Sequence, residues 1–96
     1  MIEVTVTKHS VSVTGHAGYD EPGRDIICSA VSVLTQNLIH SLCDLTGDKV
    51  SFRIEPGNTI LEYEDLSEQG KLLIDSFFIG ICRIQDVYGS EYVQIK

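Results

Sequence analysis

The strongest constraint on this chain is an order that occurs twice within 96 residues: two short stretches of alternating apolar residues, then one long stretch of helical period. Ile2, Val4 and Val6 alternate with Glu3, Thr5 and Thr7, and Val11 and Val13 alternate with Ser10, Ser12 and Thr14 across a short Lys8-His9 connection. A period of two places apolar side chains on one face of a strand, so these are two antiparallel strands. Residues 16–24 hold Gly18, Pro22 and Gly23 and have no apolar period, which predicts a loop long enough to move over a site. From about Asp25 to Leu45 the residues Ile27, Ala30, Val31, Leu34, Leu38, Leu42 and Leu45 recur at three and four, an amphipathic helix closed by Gly47. Ile26 and Val33 fall on its other side with Asn37 and His40, a hint of a second contact surface.

The second half repeats the order. Val50, Phe52 and Ile54 alternate with Ser51, Arg53 and Glu55, the turn Pro56-Gly57-Asn58 follows, and Ile60, Leu61 and Tyr63 mark the returning strand. Asp65 with Glu68 forms a capping box for a helix running to about Tyr88 and ended by Gly89. Leu73, Phe77, Gly80, Ile84 and Val87 make its main stripe, while Leu72, Ile74, Phe78, Ile79 and Cys82 spread round the rest, so it is expected to be buried on more than one side. Residues 90–96 give a last strand. The order β-β-α-β-β-α-β predicts an α+β two-layer sandwich, a five-stranded mixed sheet with two helices, in a single domain spanning 1–96.

Charge narrows the partners. Fourteen acidic against seven basic residues give a formal charge of −7, with no Lys/Arg cluster, which disfavours direct binding to a nucleic-acid backbone and favours a basic polypeptide. No basic, apolar leader opens the chain, and the longest apolar run, 77–82, is far short of a membrane span; a cytoplasmic protein away from the membrane is expected. Three cysteines without C-x-x-C spacing fit reduced thiols, and no His/Cys spacing suits a metal.

Cys28 and His16 carry the chemistry. A thiol becomes a nucleophile when a base or a local positive potential holds it as thiolate, and the first turn of a helix supplies such a potential. With a helix from Asp25, a step of about 100° per residue puts Asp25, Cys28, Ser32 and Thr35 in one stripe, which His16 would face. Distance removes the other pairings: Cys43 lies about 22 Å and His40 about 18 Å along the same helix from Cys28. His9 is about 20 Å along the strand from His16. Each residue also has a plainer role available. Cys28 fits as a small core residue, Asp25 as an N-cap, Ser32 as a surface hydroxyl, and Gly15, Gly18 and Gly23 as turn residues.

Gly15-His16-Ala17 followed by Gly23-Arg24-Asp25-Ile26-Ile27-Cys28-Ser29-Ala30-Val31-Ser32 resembles the signature of the ribosomal-processing cysteine protease (Prp) family, Gly-His-Ala and then G-x-D-I-[IV]-C-x-x-x-S. Length and element order agree over nearly the whole chain. Pro22 stiffens a loop that is freer in the family, and Ser29 replaces the usual Ala. The resemblance implies a cysteine endopeptidase that removes the N-terminal extension of a bacterial large-subunit ribosomal protein, cutting after an aromatic residue, without a cofactor. It makes Cys28 the nucleophile and His16 the base and then the acid. Asp25 and Ser32 orient them, and Gly15, Gly18 and Gly23 let the loop bring substrate close. Backbone N–H groups at the helix start are expected to hold the oxyanion.

A phage structural protein with a similar cleavage motif is an alternative substrate. A non-catalytic ribosome-assembly adaptor and a redox-sensing thiol are alternatives of other classes, opposed by the intact His16–Cys28 pair and by the lack of a resolving cysteine near Cys28. The resemblance implies a homodimer, and Ile26, Val33, Phe78 and Ile79 add apolar surface in excess of what so small a core covers.

Overall fold

The computed structural model describes residues 1–21 and 23–96; the expectation for Pro22 lies outside them. The elements are β1 (Ile2–Val6), β2 (Ser10–Gly15), α1 (Ile26–Leu45), β3 (Val50–Glu55), β4 (Asn58–Tyr63), α2 (Glu68–Tyr88) and β5 (Val93–Ile95). They build the expected two-layer α+β sandwich. The sheet runs β3-β4-β2-β1-β5, antiparallel except where β5 lies parallel to β1.

Register explains the single core. Val4 pairs with Val13 and Ile95, Val11 with Val6 and Leu61, and Leu61 with Phe52, so every strand turns its apolar set to the same face. The helices cover that face: Ile27, Ile39, Leu42 and Ile81 meet Val4, Val11, Leu61 and Val93, all under 2% exposed. Burying a side chain of that kind stabilises the fold by about 1.5–3 kcal/mol relative to exposing it. The helices approach closely at Gly80, where a β-carbon would lie 2.9 Å from Leu34 Cδ1.

Several local expectations are corrected. The cap of α2 is Ser67, not Asp65: Ser67 Oγ accepts from Gly70 N, while Asp48 accepts from both Ser67 N and Ser67 Oγ. That arrangement ties the α1–β3 connection to the start of α2. α1 ends at Thr46, in extended conformation, not at Gly47, and Thr46 Oγ1 donates to the Leu42 carbonyl. Leu45 and Val87, placed on core stripes by period, are 72% and 74% exposed, because each sits in a last turn that runs past its partner layer. Ile39, outside the predicted stripe, is fully buried. Leu72, Phe78 and Ile79 are exposed, so α2 is buried along one side in this chain. Phe52 and Ile54 are half exposed because β3 is the outer strand. The returning strand of the second hairpin begins at Asn58 directly after the two-residue turn Pro56-Gly57. α1 is long and apolar enough by composition to cross a membrane, contrary to the expectation drawn from apolar runs; its buried stripe of Ile27, Val31, Leu38, Ile39 and Leu42 is that of a core helix.

Candidate active site

Cys28 lies in the first turn of α1 because Asp25 starts the helix there. The extended Asp25 backbone (φ −78°, ψ 100°) turns its carboxylate back onto the helix, and Oδ1 accepts from Ile27 N at 3.1 Å and Cys28 N at 3.0 Å. Oδ2 accepts from Tyr19 N at 2.9 Å, so one buried carboxylate joins helix start and loop. Burial works to raise its pKa; the N–H groups of Cys28 and Tyr19 lead the hydrogen bonds that outweigh burial and hold the carboxyl below its ordinary value. Ser29 N donates to the Asp25 carbonyl. Three helix-start donors, those of Ile27, Cys28 and Ser29, are therefore engaged by Asp25.

The loop descends on the sulfur from β2. Ala17 is buried, and its N–H donates to Cys28 Sγ at 3.3 Å. Tyr19 sets its ring edge-on against Tyr88 and Tyr92, with centroids 5.8 and 5.3 Å away, which anchors the loop to the end of α2 and the approach to β5.

His16 is exposed and rests on the β3–β4 turn. A β-carbon built on Gly57 lies 2.7 Å from His16 Nε2 and 3.1 Å from Cε1, so the ring occupies space that only a glycine leaves. Gly57 also has φ +70°, the value for the second central residue of a turn that follows proline. Gly15 N donates to the Gly57 carbonyl at 2.9 Å, which locks the end of β2 to that turn. Gly15 is the last residue of β2 and not part of the loop; with φ +91°, a side chain there would collide with the Met1 carbonyl oxygen.

One groove of about 940 Å³ runs between α1 and the β3–β4 hairpin. His16, Asp25, Cys28 and Ser32 line it, as do Gly15, Gly18 and Gly23. The predicted stripe is present, with Thr35 at its end, although Thr35 is buried and donates to the Val31 carbonyl. Ser32 is exposed, and among the described residues it makes no hydrogen bond to Cys28 or His16. Cys43 is exposed at the far end of α1 and Cys82 is half-buried on α2, both away from the groove. Sequence reasoning missed Gly57 and the Ala17 N–H. The first had a signal, a Pro-Gly turn between alternating strands; the second is a backbone group and carries none.

This arrangement places a thiol and an imidazole on one apolar-walled groove, with a backbone N–H donating to the sulfur, the components of acyl transfer to sulfur. Comparison with known proteins agrees. The family model for Cysteine protease Prp matches residues 1–94. The ribosomal processing cysteine protease Prp of Mycoplasma pneumoniae is 47% identical over 32 residues, a segment spanning 33% of this chain and 32% of that protein. The crystal structure of SMU.848 from Streptococcus mutans is 32% identical with TM-score 0.83, covering 100% of this chain and 92% of that one. The essential ribosomal processing protease Prp from S. aureus, solved with a covalently linked product peptide, has the same fold: TM-score 0.88 at 20% identity, covering 99% of this chain and 95% of that one.

Proposed function

Since the chain belongs to the cysteine protease Prp family, we propose that it is a cysteine endopeptidase that removes the N-terminal extension of a bacterial large-subunit ribosomal protein. The observation that carries this reading is the meeting of Cys28 and His16 in one groove, with the residue after His16 bonded to the Cys28 sulfur. His16 takes the Cys28 thiol proton, and the thiolate attacks the scissile carbonyl carbon to form a tetrahedral oxyanion; its collapse breaks the C–N bond and expels the amine, which takes that proton from His16. Water, deprotonated by His16, then attacks the thioester and releases the carboxylate and the thiol. Asp25 orients Cys28 through the cap, and Ser32 lines the approach one turn further on.

Substrate choice follows from the walls. Val13 and Ile54 offer an apolar surface in the groove for an aromatic side chain before the cut, and Asp20 and Glu55 line the same groove and favour a basic polypeptide. A phage structural protein with the same cleavage motif fits those walls equally. A homodimer in the cytoplasm completes the proposal: Ile26, Val33, Phe78 and Ile79 are 51%, 67%, 39% and 60% exposed, and a second copy would cover them.

The test is incubation with an extended ribosomal protein and mass spectrometry of the new N-terminus. Wild type yields one shortened product. Cys28→Ala yields none while keeping its fold, since the change removes one sulfur from a half-buried site. Processing by Cys28→Ala at the wild-type rate would refute the covalent mechanism.

A further inference from the structure

A thiolate needs a donor, and the helix start is poorly placed to be it. The Asp25 carboxylate sits within the first turn of α1, where its charge opposes the positive end of the helix, and its Oδ1 takes the Ile27 and Cys28 N–H groups. The positive potential that the sequence assigns to Cys28 is therefore largely spent on Asp25.

The chain beyond β2 supplies a donor instead. From Gly15 to Tyr19 alternate N–H groups are engaged in turn: Gly15 N on the Gly57 carbonyl at 2.9 Å, Ala17 N on Cys28 Sγ at 3.3 Å, and Tyr19 N on Asp25 Oδ2 at 2.9 Å. The middle donor is held from both sides, and the Ala17 methyl, 4% exposed, packs into the core as a third anchor. A donor fixed in this way favours the charged acceptor, because a hydrogen bond to an anion is roughly twice as strong as one to a neutral group.

Resting on the cysteine protease reading, we propose that the backbone N–H of Ala17 is a catalytic group that holds the Cys28 thiolate for attack, with Asp25 acting on the reaction by positioning that loop segment and not by stabilising charge. His16 then serves proton transfer: it lines the groove, and the Ala17 donor that follows it in the same pinned segment bonds the Cys28 sulfur.

The donor is removed without touching any side chain by assembling the full chain from segments 1–27 and 28–96 through ligation at Cys28, with lactic acid in place of Ala17. The 16–17 peptide bond becomes an ester and the methyl is kept. A matching ester at Lys8, exposed in the β1–β2 turn at the opposite end of β2, controls for the chemistry. Site-resolved alkylation by iodoacetamide is expected to show the Cys28 rate at pH 6, relative to pH 9, reduced about tenfold or more in the residue 17 ester and unchanged in the residue 8 ester. Cleavage near neutral pH falls in parallel. A wild-type alkylation profile in a folded residue 17 ester overturns the proposal.

A second measurement uses the unmodified protein and so does not depend on the ester folding. The Ala17 amide proton resonance is expected to move with the ionisation of Cys28, and to lose that movement in Cys28→Ala; an Ala17 resonance insensitive to pH across the Cys28 titration overturns the proposal. Either negative result, with cleavage still dependent on Cys28, removes the Ala17 donor and leaves the protease reading standing. Cleavage by Cys28→Ala removes the protease reading itself.

Discussion

Gly57→Ala is expected to slow catalysis through His16 without any change to the catalytic side chains. The new β-carbon would lie 2.7 Å from Nε2, whereas ordinary contact begins at 3.4 Å, so one partner must retreat by about 0.7 Å. The turn backbone is held by the β3–β4 ladder and by Gly15 N, while the imidazole is exposed, so the ring moves. Misplacing a reacting group by 1 Å costs on the order of 10²-fold in rate, which puts the expected loss in kcat at roughly 10- to 100-fold. The substitution also strains the backbone at φ +70°, costing about 1–2 kcal/mol and lowering Tm by roughly 5–15 °C. Gly89→Ala separates the two effects, because Gly89 has φ +111° with its nearest neighbour, Glu91 Oε1, at 3.5 Å and lies outside the groove. Both variants should lose stability, and only Gly57→Ala should lose kcat when peptide cleavage is measured well below either melting temperature. A Gly57→Ala kcat within twofold of Gly89→Ala would refute the placement of His16 in the reaction.

Three further outcomes follow from the fold. The Ser67 N–H, outweighing the smaller effect of burial, holds the Asp48 carboxyl below its ordinary value of 3.8. A lowered folded-state value contributes stability that is present above the unfolded value and lost as pH falls through the folded one, so Asp48→Ala should lower Tm at pH 7, by a difference that shrinks in thermal melts as pH falls below 3.8. Tyr63→Phe should cost about 1 kcal/mol in urea unfolding, since the Tyr63 hydroxyl, whose pKa burial raises, donates to the Thr7 and Ser10 carbonyls at 3.1 and 3.3 Å; cleavage should be unchanged. Sedimentation at micromolar protein should give a dimer mass, shifted toward monomer by Val33→Lys, and a monomer mass for wild type would retire the homodimer.

The elements were legible where the cause is local. Strand alternation, the helical period of residues 26–45 and Asp25 beside the first turn of α1 are interactions within a few residues, and all appear in place. The start of α2 was misplaced for the complementary reason: Asp65 and Glu68 have the spacing of a capping box, but Asp48, 19 residues from Ser67, fixes Ser67 as the cap. Leu45 and Val87 fit their periods and lie in solvent, because period says which way a side chain points and not whether a partner layer extends that far.

For the site, sequence alone determined that a cysteine would begin a helix and that a histidine would end a strand before a glycine-bearing loop. Only the tertiary structure decided that β2 sits between β1 and β4, which brings the β3–β4 turn against Gly15 and His16 and makes Gly57 a neighbour of the imidazole. It also decided which donor faces the sulfur. A cap residue next to a helix is visible in sequence, but the competition between its carboxylate and a backbone N–H from another element for the space around Cys28 is settled by packing, since main-chain groups are identical at every position until the fold aims them.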